Sequence, residues 1–483
     1  MSDTRGRLPL LPVCLAQVPA TLRTALDQQG IAHCAQSPER PAGRFVLFDS
    51  RSQRTPLLAD GQWQVDVSTL AGDLPFDPWE ALADEHAACC RWQVGPYSIR
   101  EEVARINKRQ IRRQLMARLR RRLEELGGVW LCVSPYPFPY QSAFNLRIDH
   151  DEYDAQDFAS LLKAIAGRED ACSHYVCAAG FQSDTHVLDA LRGQHVGAHG
   201  YHHHTYQSTE ENRRNIARGS EFLRGCRLDP VGFVSPHGRF NRHLLAALDA
   251  LRVTHSSEFG LVYDELPLLP AGSDVLQIPV HPVCLGLFLE AARRTGHDEH
   301  EAAREAAEYF RRLIDQRYQR GEPVFVYGHP TGRWGRYPQV VQAIFESADA
   351  CGALWRTPLS RFADWWRARR QVRLRVLADG DGRYAIHVDE AAGNYRLAAE
   401  YWRGQHVALM PLDEPVMRFV PGDLAYQSRR AAKPPSPVRV DGSHGLRAGL
   451  RRWLDWERVT PVDEIRADSV RGWMKRTLRR IKP

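Results

Sequence analysis

The chain has 483 residues, about three times the usual size of a domain, so we expect more than one domain. Hydrophobic residues at 43% and charged residues at 25% exclude disorder over most of the chain, and 35 glycines and 30 prolines exclude collagen-like and low-complexity classes. The net charge of +7 is concentrated in basic clusters at residues 100–122 and in the C-terminal tail. Such clusters suit contact with anionic lipid, glycan phosphate or nucleic acid, although solvated helix faces give the same pattern.

Neither the cysteines nor the N-terminus indicates export. The ten cysteines have no CxxC spacing, and several, such as Cys132, lie in apolar runs, as buried thiols do in a reducing compartment. Arg5 and Arg7 precede an apolar stretch, but three prolines interrupt it, so we expect ordinary structure there. Residues 127–146 carry no charge, yet the prolines within them preclude a spanning helix. We therefore predict a cytoplasmic protein.

The N-terminal residues 1–98 predict a small α/β module. Short strand-like runs at Phe45–Phe48 and Trp63–Val67 are mixed with a helical stretch near Pro78–Cys90. Nothing in this segment indicates chemistry.

Residues 99–128 have the pattern of a basic amphipathic helix. Ile111, Leu115, Leu119 and Leu123 recur every four residues, and most of the residues between them are polar or cationic. This pattern fits a helix packed on a domain through its leucines, and it also fits a helix lying on a membrane surface.

Residues 129–370 alternate between strand-like and helical patterns, which predicts a parallel sheet, and about seven or eight strands suggest a closed barrel. In such a barrel the reactive residues follow the carboxyl ends of the strands. The strand-like runs are Leu146–Asp149, Tyr175–Ala179, His195–His199, Gly232–Pro236, Thr254–Ser257, Val275–Val280, Val324–Tyr327 and Leu354–Arg356. The helical patterns are Asp157–Ala166, Glu210–Leu223, Arg242–Leu251, His300–Arg317 and Gln339–Ala348.

The period of the hydrophobic pattern falls to two after residue 370. Two alternating runs flank an Asp-Gly-Asp-Gly turn that begins at Asp379, which predicts a hairpin within a small all-β module over 371–426. Residues 427–483 are expected to form a proline-rich linker and a basic amphipathic tail.

Acidic residues follow the first strand of the predicted barrel. Asp149 and Asp151 stand together at its end, and like charges repel unless something positive lies between them. A divalent cation accounts for the cluster, whereas an exposed acidic loop or a helix N-cap at Asp154 is the structural alternative.

Histidines are concentrated after the third strand. His199 and His203 are four residues apart with a glycine between them, so both imidazoles can converge on one ion. His202 and His204 would then point elsewhere and serve packing or solvation, and a surface histidine patch is the alternative for the whole group. A carboxylate and two imidazoles leave coordination positions open, as catalytic metal sites do. His329 follows the last main strand and is a candidate acid.

This order of motifs resembles the polysaccharide deacetylases of the NodB-homology type (carbohydrate esterase family 4) over about residues 129–365. The most specific part is the combination of Ile148-Asp-His-Asp151 with His199-Gly-Tyr-His-His203. The resemblance implies a distorted (β/α)7-type barrel, flanked here by the N-terminal α/β module and the C-terminal all-β module. It also implies a divalent metal, Zn²⁺ or a similar ion, and hydrolysis of N-acyl groups on sugars.

The resemblance also implies residue roles. Asp151, His199 and His203 would bind the metal, Asp149 would be the general base, and His329 would protonate the departing amine. Because His150 separates the two aspartates, the assignment of their roles stays open.

The resemblance also implies a second functional segment, which would stabilise the oxyanion. Pro236 and His237 lie where the family has an Arg-x-Pro-Tyr-type segment, and the backbone N–H of His237 would help to hold the oxyanion. Ser235 or Val234 stands where an arginine normally orients the base. Arg147 or Arg239 could supply that guanidinium instead.

The leading hypothesis is a metal-dependent hydrolase that removes an acetyl or formyl group from an amino sugar of a surface glycan or its precursor. Its carbohydrate substrate would be reached from the cytoplasmic side, where Arg100–Leu126 and the C-terminal tail could contact anionic lipid. The alternative is a glycan-binding or assembly protein that has lost turnover, which the missing motif arginine favours. Nucleic-acid binding is not expected, because no recognised binding motif accompanies the charge.

Overall fold

A computed structural model describes residues 8–37, 39–52, 55–390, 393–429, 438–439, 470, 473–474 and 477. The α-helices are α1 Ala20–Gln29, α2 Pro78–Ala83, α3 Lys108–Glu125, α4 Ala155–Ile165, α5 Thr209–Gly225, α6 Arg242–Ala250, α7 Leu285–Thr295, α8 Glu299–Gln319, α9 Pro338–Asp349 and α10 Leu359–Gln371. The strands up to the middle of the chain are β1 Val13–Ala16, β2 His33–Ala35, β3 Phe45–Phe48, β4 Trp63–Asp66, β5 Ala87–Val94, β6 Tyr97–Ala104, β7 Leu131–Val133, β8 Ser142–His150, β9 Cys172–Val176 and β10 Val196–Ala198. The later strands are β11 His255–Ser256, β12 Leu276–Gln277, β13 Val324–Gly328, β14 Leu354–Arg356, β15 Arg373–Ala378, β16 Tyr384–Glu390, β17 Ala398–Arg403, β18 His406–Pro411, β19 Val416–Phe419, β20 Gln427–Ser428 and β21 Val438–Arg439.

The N-terminal residues form a parallel sheet in the order β2-β1-β3-β4, with α1 connecting its first two strands along the chain. A long antiparallel hairpin of β5 and β6 follows it. The sequence pattern predicts a helix near Pro78–Cys90, but helix α2 ends at Ala83 and the last residues of this stretch belong to strand β5. Burial alternates along β5, as expected for a half-buried strand whose side chains point in turn to the core and to solvent.

The basic helix α3 packs on the protein through its apolar stripe. Asn107 caps its N-terminus by accepting from the backbone N–H of Gln110, and Leu115, Leu119 and Leu123 are buried. The first of the two interpretations of its pattern, a helix packed through its leucines, is therefore confirmed.

Many of the cations of α3 also contact protein groups. Arg112 donates to both oxygens of Glu265 at 2.7 and 3.0 Å, and Arg118 donates to the carbonyl of Leu70 and to Asp73. Arg120 lies over the ring of Trp402. Several cationic side chains of α3 therefore interact with other segments of the protein.

The middle of the chain forms a ring of parallel strands and bridges. β8 pairs with β13 and β9, and β9 pairs with β10. Phe233 then bridges Ala198 to Ser256, β11 pairs with β12, and the backbone N–H of His281 donates to the carbonyl of Phe325 in β13. These contacts join seven segments, and their parallel direction places their carboxyl ends at one rim.

Several of the predicted strands are shorter than their sequence patterns indicate, and of Val275–Val280 only Leu276–Gln277 is a strand. Two other cases have a local cause. Within Gly232–Pro236 only Phe233 makes bridges, because Gly232 has a φ of 79° and a proline cannot donate to a ladder. The run Tyr175–Ala179 leaves the sheet after Val176 and enters a 3₁₀ turn over Ala178–Phe181.

The C-terminal strands form two antiparallel sheets, in the orders β15-β16-β19 and β20-β18-β17-β7. The hairpin predicted at Asp379 is confirmed, with Ala378 opposite Tyr384. Strand β7, which precedes β8 in the chain, pairs with β17 in the second sheet. Leu11 near the N-terminus forms a bridge with Val376 of β15. The C-terminal strands therefore pair with earlier segments that the sequence pattern assigns to other modules. Of the predicted linker and tail after Arg429, the structure describes residues 438–439, 470, 473–474 and 477, and the rest lies outside the described residues.

All ten cysteines are free thiols, in agreement with the sequence pattern. None of the helices in the described part of the chain has the length and apolarity needed to cross a membrane.

The packing of α3 gives a stability prediction. Leu119 is fully buried, so Leu119→Ala should lower the free energy of unfolding by about 2–5 kcal/mol, through lost burial and the cavity left behind. The measurement is urea-induced unfolding followed by circular dichroism. The control, Arg121→Ala, changes an exposed residue of the same helix and should stay within about 0.5 kcal/mol of the native protein. Equal losses for both variants would show that the leucine stripe does not anchor the helix.

Candidate metal centre

Strand β8 carries Asp149 near its end, and Asp151 is the first residue after the strand. Side chains of a strand alternate between its faces, so His150 points away from the side of Asp149. The His150 ring packs 5.6 Å from Phe158 and 6.1 Å from Phe181, and its Nε2 lies 2.9 Å from Nδ1 of His174. The residue between the aspartates is therefore a core residue, and it does not disturb the pair.

Asp151, His199 and His203 converge at the rim. Asp151 Oδ1 lies 3.2 Å from His199 Nε2 and 3.3 Å from His203 Nε2, and one ligand atom from each of the three residues falls within 4.8 Å of the others. The three residues come from the end of β8 and the loop after β10. The structure thus brings together the three residues predicted to bind the metal.

The chemistry of these atoms fits a divalent cation. His199 Nδ1 donates to the carbonyl of Val234 at 2.7 Å, so Nε2 of the neutral ring carries a lone pair and faces the carboxylate. Asp151 Oδ1 is buried and accepts no hydrogen bond in the described part of the chain. The three ligand atoms are close enough to bind one cation together. Two imidazoles and one carboxylate are a ligand set suited to zinc and similar ions.

The pKa of Asp151 supports an ionised ligand. Burial of this carboxyl raises its pKa, but the attraction of His329 and the contacts with His199 and His203 outweigh burial and hold the pKa well below its usual range. The carboxylate is therefore charged at neutral pH, as a metal ligand must be.

The other two histidines of the cluster are held away from the ligand atoms. Asn215 accepts from the backbone N–H of His202 at 2.8 Å, and its amide donates to the carbonyls of His202 and His204. The His204 ring packs 4.5 Å from the ring of Tyr206. Asn215 on α5 thus fixes the loop, a role with no signal in the sequence, where it is one polar residue of an ordinary helix.

Arg147 contacts Asp149 from the same face of β8. Its Nη2 donates to Asp149 Oδ2 at 2.6 Å, while Nη1 donates to the carbonyl and hydroxyl oxygens of Ser257 at 3.0 Å. The guanidinium also lies 4.7 Å from the ring centre of Tyr327. Of the two arginines considered from the sequence, Arg147 is thus fixed on the carboxylate. Arg239 is exposed, and its carbonyl accepts from Ser235 Oγ.

Asp149 keeps one oxygen uncommitted. Its Oδ2 accepts from Arg147, whereas its Oδ1 is buried and has no hydrogen-bond partner among the described residues. A carboxylate held in this way is oriented by one oxygen and can accept a proton on the other.

His329 follows β13 and lies beside the same carboxylate as the two ligand histidines. Its Nε2 is 3.5 Å from Asp151 Oδ2. Burial lowers the pKa of His329 to about 4, although Asp151 and Asp149 oppose this shift. The imidazole is therefore neutral at pH 7 in this structure.

The segment Ser235-Pro-His237 forms the neighbouring wall. His237 has a left-handed backbone, with φ 56° and ψ 21°, and its exposed ring lies 4.6 Å from the ring of His203 at 75°. Non-glycine residues seldom adopt this conformation, and they cluster at functional sites when they do. The geometry therefore places Pro236 and His237 beside the candidate ligands.

Solved structures are similar to about half of this chain, and they include polysaccharide deacetylases of carbohydrate esterase family 4. One, assigned as a polysaccharide deacetylase from Mycobacterium smegmatis, is 17% identical with a TM-score of 0.42, and the match covers 51% of this chain and 98% of that one. Another, assigned likewise and from Pseudomonas aeruginosa PAO1, is 16% identical with a TM-score of 0.40 and coverage of 48% and 94%. A pseudoenzyme of the family from Bacillus anthracis is 13% identical with a TM-score of 0.30 and coverage of 48% and 69%. No protein-family model and no curated protein matches the chain.

The buried ion pair gives a second stability prediction. Arg147→Met leaves the Asp149 carboxylate buried without its partner, so the free energy of unfolding should fall by about 3–5 kcal/mol. Adding Asp149→Asn should restore part of this loss, since no buried charge then lacks a partner. Chemical denaturation of the two variants and of Arg121→Met, an exposed control, measures the difference. A loss below about 1 kcal/mol for Arg147→Met would contradict the pairing.

The ligand set predicts metal binding. The purified chain should bind one equivalent of Zn²⁺, and His199→Ala or Asp151→Ala should weaken binding by more than about 100-fold, because loss of a ligand exceeds the usual effect of an outer-shell change. Isothermal titration calorimetry and elemental analysis provide the measurement. His186→Ala, which removes an exposed histidine outside the cluster, should keep the native affinity. Native zinc affinity in the two ligand variants would exclude this site.

Proposed function

We propose that this chain is a metal-dependent hydrolase that removes an acetyl or formyl group from the nitrogen of an amino sugar, in a surface glycan or its precursor. One observation carries the proposal: the buried Asp149 carboxylate, oriented by Arg147, lies two residues before Asp151, whose carboxylate converges with the ligand atoms of His199 and His203. A base next to an open metal site is the arrangement that hydrolysis of an amide requires.

A divalent ion held by Asp151, His199 and His203, most simply Zn²⁺, would polarise the acyl oxygen and increase the acidity of water when bound. In the proposed reaction Asp149 Oδ1 accepts a proton from the attacking water. Arg147 fixes the orientation of Asp149, because its guanidinium donates to the other oxygen of that carboxylate. The backbone N–H of His237, after Pro236, would stabilise the developing oxyanion.

His329 is the proposed donor of the proton that the departing amine needs. Its position beside Asp151 supports this role, because it brings a ring nitrogen to the same rim as Asp149. A histidine with a pKa near 4 is neutral at pH 7, so the role requires that the bound substrate raise this pKa. The carboxylates of Asp149 and Asp151 already act in that direction.

The alternative is a chain that binds a glycan without turning it over. Its main support was the absence of an arginine at positions 234 and 235. Arg147 makes a 2.6 Å contact with Asp149 from another place in the sequence, which weakens that support. The choice between the two functions therefore rests on turnover.

The ring of parallel strands supports the finer description of residues 129–370 as a distorted (β/α)7-type barrel, with the proposed reaction at its carboxyl rim. Cytoplasmic location and peripheral contact with anionic lipid remain part of the proposal. The inward contacts of Arg112 and Arg118 leave less of helix α3 available for lipid than its composition suggests.

Turnover is tested with the zinc-loaded chain and N-acetylated or N-formylated amino-sugar oligomers. Release of free amine should be detectable, and Asp149→Asn should lower kcat by about 10²–10⁴-fold while zinc stays bound, because proton transfer is lost and the ligands are intact. His329→Ala should lower kcat by a similar factor. Both variants are measured by fluorescamine detection of amines, with zinc content determined on the same samples.

The control for this experiment is His186→Ala, which should turn over at the native rate. Tight binding of the oligomers with no amine after long incubation would favour the non-catalytic alternative. Native turnover by Asp149→Asn would refute the assigned base.

A further inference from the structure

A second cavity of about 260 Å³ lies away from the metal centre. It is lined by residues of α3, of α8 and of the β5–β6 hairpin, together with Tyr263, Asp264 and His281. The backbone of His281 contacts Phe325 near the start of β13, whereas His329 follows the end of that strand. The cavity is therefore near the opposite end of β13 from the proposed reaction site.

Three of the arginines that line this cavity are buried, whereas two acids, Asp264 and Glu322, form the ion pairs with them among the described residues. Arg109 donates to Glu322 at 3.0 Å, and Arg317 pairs with Asp264 at 2.5 Å and with Glu322 at 3.4 Å. Arg320 is the third, with 7% of its surface exposed. The two acids are therefore shared by the first two arginines.

Arg320 has neither an ion pair nor a side-chain hydrogen bond within the described ranges. Its Nε is buried and without a partner, and Glu322 is already in contact with Arg109, Arg113 and Arg317. Burial lowers the pKa of Arg320, although Glu322 opposes this shift. A buried guanidinium that shares its acidic neighbour with other arginines is only partly compensated, and an anion in the cavity would complete the compensation.

The remaining walls suit the uncharged part of a ligand. Trp92 and Tyr263 present large aromatic side chains, and the Tyr309 hydroxyl is fixed at 2.7 Å from His281 Nε2. His281 is fixed in turn by Asp264, at 2.9 Å from Nδ1. Aromatic and rigid polar walls around a few charged groups are typical of small-molecule sites.

We propose that this cavity binds a small organic oxyanion, whose phosphate or carboxylate accepts hydrogen bonds from Arg320 and whose uncharged body contacts Trp92 and Tyr263. Guanidinium groups bind phosphate and carboxylate alike, so both anions fit the charge argument. The volume admits a molecule of about the size of a monosaccharide derivative. The site is separate from the metal centre, and the inference does not depend on the proposed hydrolysis.

The test uses the full chain in phosphate-free, low-salt buffer. Isothermal titration calorimetry compares inorganic phosphate, glucose 6-phosphate, glucuronate and glucose, which separates the phosphate from the carboxylate and the anion from the sugar. We expect one of the two sugar anions to bind, inorganic phosphate to bind more weakly than that sugar anion, and glucose not to bind. Absence of binding by all three anions would overturn the proposal.

The variant Arg320→Gln tests whether Arg320 is the residue that binds the anion. It should weaken binding of the sugar anion by about tenfold or more, because a charge-assisted hydrogen bond is lost. Arg304→Gln, on the outer side of the same helix and 67% exposed, is the matched control and should bind as the native chain does. Unchanged binding by Arg320→Gln would place the anion elsewhere and overturn the assignment.

The ligand-free variant gives an independent readout. Because Arg320 forms no ion pair among the described residues and Glu322 is already paired with other arginines, Arg320→Gln should melt at the native temperature or higher without ligand. It should also lose the rise in Tm that the sugar anion produces in the native chain. A clear fall in the Tm of the ligand-free variant would show that this charge already has a stabilising partner, which would contradict the argument. Neither readout involves amine release, so failure here and failure of the proposed hydrolysis are distinguishable.

Discussion

The candidate centre depends on the convergence of three potential ligand atoms. One oxygen of Asp151 and one nitrogen each of His199 and His203 lie within 4.8 Å of one another, and Nδ1 of His199 donates away from this point, to the carbonyl of Val234. A carboxylate oxygen and two imidazole nitrogens at this spacing are suited to hold a divalent ion. The loop after β10, the fixing of that loop by Asn215 and the carbonyl of Val234 all serve to maintain it.

The alternation of side chains along β8 connects this centre to the base. A strand sends every second residue to the same side, so Arg147 and Asp149 share one side of β8, and Asp151 follows directly after the strand. The guanidinium thus comes from the strand that carries the carboxylates. His150, which separates the two aspartates in the sequence, packs in the core against Phe158 and Phe181.

Buried charge has two different outcomes in this molecule. Arg147 pairs with Asp149, as Arg112 does with Glu265, and such pairs position the groups that they contain. Around the second cavity the arginines outnumber the acids, and Arg320 makes no ion pair within the part of the chain that the structure describes. A structural or catalytic ion pair requires charges that are paired with each other, whereas a binding site for an anion requires a cation that is still available.

From the sequence alone one can identify the candidate ligands, the leucine stripe of α3, the hairpin at Asp379 and the alternation of strands and helices. These features depend on local spacing: four residues for a helix face, two for a strand, four between His199 and His203. The sequence does not indicate which arginine meets Asp149, and it gives no signal for Asn215 or for the lack of an ion pair at Arg320 among the described residues. These points become visible in the folded chain, because each depends on groups far apart in the sequence, such as Arg109 and Glu322, whose distance no local pattern encodes.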